Sequence, residues 1–168
     1  DELLGRSHDP SRFDGQEAEL RSDRYEIRAT FTDEFDRGKS KALVQDALTR
    51  WPDVNCLVGL FEYEPPLILE AVQSANRLGE VKIIGFDEAD GTLQGIVDGH
   101  IAGTIVQDPF EYGRQSMLLL DRLWHERDAA KRAALLPAGG FLDIPVRRIT
   151  KANVGPFWSD KNEKLGNK

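Results

Sequence analysis

Asp87 and Gln107 are the side chains in this sequence best placed to hold a polar ligand. The stretch from Val81 to Gly113, VKIIGFDEADGTLQGIVDGHIAGTIVQDPFEYG, reads as a buried strand ending in Gly85-Phe86-Asp87 and then a short helix. A second strand follows, ending in Gln107, and Asp108-Pro109 opens another helix. A carboxylate and a neutral amide therefore sit at the carboxyl ends of two parallel-type strands, the edge at which open α/β sheets bind ligands. A carboxylate accepts hydrogen bonds from two neighbouring hydroxyls, while an amide both donates and accepts. That chemistry is reversible capture. Each residue also has a plainer reading: Asp87 as a cap for the helix from Glu88, and Gln107 as a hinge hydrogen-bonder that touches no ligand.

Covalent chemistry has little to stand on. The sequence holds no glycine-rich phosphate loop, no G-x-S-x-G elbow and no Cys–His pair. Asp87 with Glu62 makes a carboxylate pair for glycoside hydrolysis only on paper. His8, His100 and His125 lack metal-ligand spacing. The acidic run Asp33-Glu34-Phe35-Asp36 suits a solvated helix start, where it complements the helix dipole. No catalytic residue, cofactor or metal is expected. Cys56, the single cysteine, lies in an apolar run and reads as an inert buried thiol, so no disulfide can form within the chain. The net charge of −7, from 29 acidic against 22 basic residues, argues against a dominant nucleic-acid surface. No apolar run is long enough to span a bilayer. No leader is visible at Asp1, as in a mature or truncated chain.

The elements that must position Asp87 and Gln107 alternate between helix and strand, which predicts an α/β fold with a mainly parallel sheet. Asp9-Pro10-Ser11 opens a helix to about Leu20. Residues 25–31 alternate, with Tyr25, Ile27, Ala29 and Phe31 on one face, and read as a strand. Residues 35–51 are helical, with Ala42, Leu43, Ala47 and Leu48 as the core stripe. Residues 55–60 form a strand covered on both faces. Pro65 and Pro66 sit in the first turn of a helix to about Leu78, and 81–86, 88–98, 101–107 and 110–124 continue the alternation. Residues 129–135 suggest a short helix, 137–140 a loop and 141–149 a late strand. From Pro156 to Lys168 the chain is mostly polar, a surface-hugging or frayed tail with Phe157 and Trp158 as its docking handles.

The Gly85-Phe86-Asp87 and Gln107-Asp108-Pro109 motifs, at this separation, resemble the C-terminal lobe of the type I periplasmic sugar-binding proteins, the ribose-binding-like family whose fold the lactose-repressor-like regulators share. The resemblance runs from about Gly5 to Val154 and covers about half of a typical member. It implies a Rossmann-like parallel sheet sandwiched by helices, with residues 1–106 as the second lobe. It makes 107–150 a hinge crossover, helix and return strand that normally pack on a first lobe, and 151–168 a tail. It also implies ligand contacts at five positions: Arg12, Phe35, Phe61, Asp87 and Gln107. Arg12 resembles the family's ligand arginine, Phe35 the aromatic at the mouth of the next helix, and Phe61 stands where an asparagine is usual. A phenyl ring cannot replace that amide, so the ligand is less hydroxylated at that edge or stacks on Phe61. Glu62 is a replacement carboxylate that strand alternation points elsewhere. Arg12 also reads as a solvated helix residue, Phe35 as a helix-entry staple and Phe61 as strand-end packing.

By resemblance the function is the solute-binding component of a bacterial ABC importer, periplasmic or tethered outside the cell. Its partners are a sugar or polyol, a permease, and a first lobe or completing chain. No nucleic acid is involved and nothing inserts into the membrane. The alternatives are the effector-binding core of a repressor, which would be cytoplasmic, and a sugar-sensing domain of a signalling system. The ending Ile149-Thr150-Lys151-Ala152-Asn153-Val154 resembles the V-T-x-x-N-V of the binding proteins and leans toward transport. Ile105, Phe110, Met117, Leu118, Leu120 and Leu123 are expected to expose apolar surface unless something covers them.

Overall fold

A computed structural model describes residues 20–166. The chain divides into two compact units, Asp1–Phe35 and Asp36–Lys168. In the first, β1 (Leu20–Arg21) pairs antiparallel with β2 (Glu26–Ile27), Leu20 opposite Ile27. The strand expected over 25–31 is thus only two residues long. Its alternation would need a covering layer to become a sheet face, and Tyr25, Ile27 and Phe31 are exposed.

The second unit is a four-stranded sheet flanked by helices. Its elements in chain order are α1 (Arg37–Arg50), β3 (Cys56–Val58), α2 (Glu64–Ser74), β4 (Lys82–Phe86), α3 (Asp90–Asp98), β5 (Gly103–Val106), α4 (Pro109–His125), α5 (Ala129–Ala134), β6 (Arg147–Ile149) and α6 (Val154–Leu165). Strand order is β3-β4-β5-β6, parallel except for the last pair. The acidic run does start a helix: the Asp36 side chain accepts from the Lys39 N–H at 2.8 Å and caps α1. Ala47 and Leu48 reach the core as expected, whereas Ala42 is exposed and Ser40 is buried.

The core lies between sheet and helices and is built on Ile68, Ala71, Val72, Ile83, Leu93, Ile96, Ile101 and Val106. Gly85 belongs to this packing. A Cβ there would stand 2.9 Å from Pro65 Cγ, so only glycine lets the first turn of α2 lie against β4.

Three expectations need correction. Strand β3 is not covered on both faces: Leu57 turns inward while Cys56 and Val58 are exposed, so Cys56 is not a buried residue. Partial shielding still pushes its thiol pKa up, against the opposing pull of Lys82. The late strand is Arg147–Ile149 alone, because its ladder partner β5 ends at Val106 and leaves 141–146 nothing to pair with. Finally, the polar tail is a helix. Val154 and Phe157 of α6 are buried in the core cluster, and Trp158 packs against it.

Candidate functional site

Strands β4 and β5 lie side by side, with Ile84 opposite Gly103 and Phe86 opposite Ile105. Their carboxyl ends therefore deliver Asp87 and Gln107 to the same edge. The Asp87 N–H donates to the Ile105 carbonyl at 2.8 Å, and the Asp87 carbonyl accepts from Thr104 Oγ1 at 2.8 Å. Thr104 is fully buried, so this lock belongs to the sheet interior. It holds Asp87 at φ +60°, a left-handed conformation uncommon for a residue with a side chain. The turn aims the carboxylate across at Gln107, whose Nε2 lies 3.4 Å from Asp87 Oδ1. Asp87 is not the helix cap: α3 begins at Asp90 behind Ala89.

Asp87 and Gln107 line one open-faced cavity of about 460 Å³ together with Glu62, Glu88, Pro109 and Tyr112. Glu62 reaches it because β3 ends at Val58 and the chain is turning by residue 62, so strand alternation no longer applies there. The apolar run continues past that end point to Phe61 and so overstates the strand. Glu88, Pro109 and Tyr112 flank the two motifs and follow from them once the turn and helix geometry is known. The Glu88 carboxyl is pushed above the usual range by burial and by neighbouring Asp87 and Glu62, against Lys161 and Arg147. Among the described residues no His, Cys, Asp and Glu group is placed to hold a metal ion.

The other three residues fall differently. Phe61 stacks on Tyr63, ring centroids 6.2 Å apart and planes 7° from parallel, and does not line the cavity. Arg37 lies over the far ring, 5.2 Å from the Tyr63 centroid. The first turn of α2 fixes Phe61, whose N–H donates to Glu64 Oε2 at 3.0 Å. Phe35, in the first unit, is 74 % exposed at φ +61°, with its N–H donating to Asp33 Oδ1 at 3.0 Å. Arg12 lies outside the described residues.

The chain as a whole, and the fold that carries this sheet edge, match known proteins. A family model described as the periplasmic binding protein domain covers residues 2–128. The chain belongs to that family. The ribose import binding protein RbsB of Salmonella typhimurium strain LT2 is 26% identical over 121 residues, covering 72% of this chain and 40% of that protein. Its counterpart in Bacillus subtilis strain 168 is 26% identical over 99 residues, covering 58% and 32%. Among solved structures, AraP, an arabinose-binding protein from Geobacillus stearothermophilus, superimposes with a TM-score of 0.71 at 29% identity, over 80% of this chain and 46% of its own. This periplasmic binding protein chain thus spans less than half the length of these relatives, and its sheet and helices are those of one type I lobe.

Helix α4 follows the Gln107 edge of the sheet. It is amphipathic yet buries none of its residues. Phe110, Met117, Leu120 and Trp124 are 59–73 % exposed. No helix among the described residues is long and apolar enough to cross a membrane.

Proposed function

We propose that this chain is the second lobe of a solute-binding protein of a bacterial ABC importer, reversibly holding a sugar or sugar alcohol between two lobes. The observation that carries the reading is the convergence of Asp87 and Gln107 on one cavity at the carboxyl edge of the sheet. A carboxylate and an amide side by side suit the vicinal hydroxyls of a polyol, with Glu62 and Tyr112 completing the rim. Phe61, stacked on Tyr63, stands outside this cavity. Binding is noncovalent, and the protein has no enzymatic step.

On this reading residues 1–106 form the lobe, and 107–150 carry the crossover, α4 and the return strand. The exposed face of α4 packs on the first lobe, which supplies the rest of the contacts and closes by hinge motion. The protein works in the periplasm, or outside the cell tethered to the membrane, and hands its sugar to a permease. The matched relatives include ribose import and arabinose-binding proteins, which favours transport over a repressor core.

Titration calorimetry with pentoses, hexoses and polyols tests this on the isolated chain and on the full-length protein that contains it. The two-lobed protein is expected to bind one panel member tightly, and the isolated chain weakly or not at all. Tight binding by the isolated chain refutes the two-lobe requirement. A full-length protein that ignores the whole panel refutes the sugar reading.

A further inference from the structure

Helix α6 touches both halves of the site just described. On one side Lys161 Nζ donates to the Glu88 carbonyl at 2.7 Å and to Asp90 Oδ1 at 2.8 Å. Its side chain is only 17 % exposed. It therefore ties down the Glu88–Ala89 peptide, one residue beyond Asp87, at the entry to α3. On the other side Arg147, which faces Val106 across the β5–β6 ladder, sends Nη2 to Asp108 Oδ2 at 3.5 Å and Nη1 to Asp160 Oδ2 at 3.8 Å. Its guanidinium lies 5.0 Å from the centre of the Phe157 ring, and its Nε is buried with no hydrogen-bond partner among the described residues. Asp108 stands between Gln107 and Pro109, both of which line the cavity. A third contact comes from Lys164, 5.7 Å from the ring centre of Phe110 in the first turn of α4.

We propose that α6 is a brace for the ligand site, with Lys161 and Arg147 as positioning residues that fix Asp87 and Gln107 relative to each other. Strands β4 and β5 already fix the two backbones. Their side chains, however, leave the sheet at a left-handed turn and at a helix entry, where the ladder no longer holds them. Those are the two places α6 reaches. Exposed ion pairs add little to global stability, and Asp90, Asp160 and Arg147 are all substantially open to solvent. The brace is accordingly expected to show in ligand affinity more than in unfolding.

The inference rests on Asp87 and Gln107 being ligand contacts, so its test must fail separately from that reading. In the full-length protein, Lys161→Met should weaken binding of the sugar found by titration about tenfold, with a nearly unchanged thermal midpoint. Lys161→Arg should restore most of the loss. In an Asp87→Asn background, Lys161→Met should cost nothing more, since a positioning residue acts through the group it positions. Unchanged affinity in Lys161→Met, or an equal loss in the Asp87→Asn background, overturns the proposal. Arg147→Met is the second arm; because Arg147 also packs on Phe157 it can weaken the fold, which the thermal midpoint reports. If no sugar binds the native protein, hydrogen exchange decides. Faster exchange of the Asp87 amide in Lys161→Met supports the brace, and an unchanged rate overturns it.

Discussion

Replacing Asp87 by glycine should separate binding from stability. The residue holds φ +60° with its backbone locked by Ile105 and Thr104. Both locks use main-chain atoms of residue 87, so glycine keeps them. A side chain in the left-handed region costs about 1 kcal/mol. Removing it returns that amount, and the freer unfolded chain of glycine takes back about 0.4–1 kcal/mol. The net change in stability is then between about 0 and 0.6 kcal/mol in favour of the variant, with the exposed 3.4 Å contact to Gln107 lost at small cost. Alanine keeps the backbone cost without the carboxylate, so Asp87→Ala should be no more stable than Asp87→Gly, and up to about 0.6 kcal/mol less so. Binding goes the other way. Deleting one partner of a buried charged hydrogen bond costs about 2–5 kcal/mol, or about 30-fold to about 4,000-fold in Kd. Urea denaturation and titration calorimetry on the full-length protein read the two quantities. If Asp87→Gly unfolds 2 kcal/mol more easily and still binds, the carboxylate is a structural group and the site assignment fails.

Phe157→Ala should cost about 3 kcal/mol, the low end for a buried ring, plus about 0.5–1 kcal/mol for the lost Arg147 contact; a loss under 1 kcal/mol in urea would mean that α6 is not docked. Gly103→Ala places a Cβ 2.7 Å from the Ile149 carbonyl oxygen and should cost about 2 kcal/mol, with hydrogen exchange rising at the β5–β6 ladder and not at β3–β4. Glu88 has a raised pKa, so the folded chain binds its proton more tightly than the unfolded chain does. That contribution is full below the ordinary value of 4.5 and is lost as pH rises through the folded value. Glu88→Gln should therefore gain on the native chain as pH climbs from about 4.5, and denaturation midpoints that shift the opposite way would contradict the assignment.

The parts of this site carried by contiguous residues were legible in the sequence. Gly85-Phe86-Asp87 and Gln107-Asp108-Pro109 each join a strand end to a helix start, and local periodicity locates both. The helices α1, α2 and α4 were legible for the same reason, because side-chain caps or prolines mark their starts. What escaped depends on partners distant in sequence. Residues 154–165 look polar because few apolar side chains, Val154, Phe157 and Trp158, seat them on the core, and Phe157 is held by a guanidinium ten positions upstream. The length of β6 is set by where β5 stops. Cys56 is exposed because only one residue of β3 turns inward. Glu62 enters the cavity because a strand ends sooner than its apolar run.

Beyond its first turn, helix α4 holds its shape mainly on its own ladder, with the Asp108 cap and the Glu111–Arg114 pair at its start and no buried residue along it. Isolated helices of such length are marginal in water. On the two-lobe proposal, the free energy that keeps it wound comes from the lobe that settles on Met117, Leu120 and Trp124. Union of the two lobes and hardening of this helix would then be a single event. A lesion at Trp124, far from any sugar, would surface as proteolysis or clumping of the newly made chain and leave the affinity of the surviving molecules untouched.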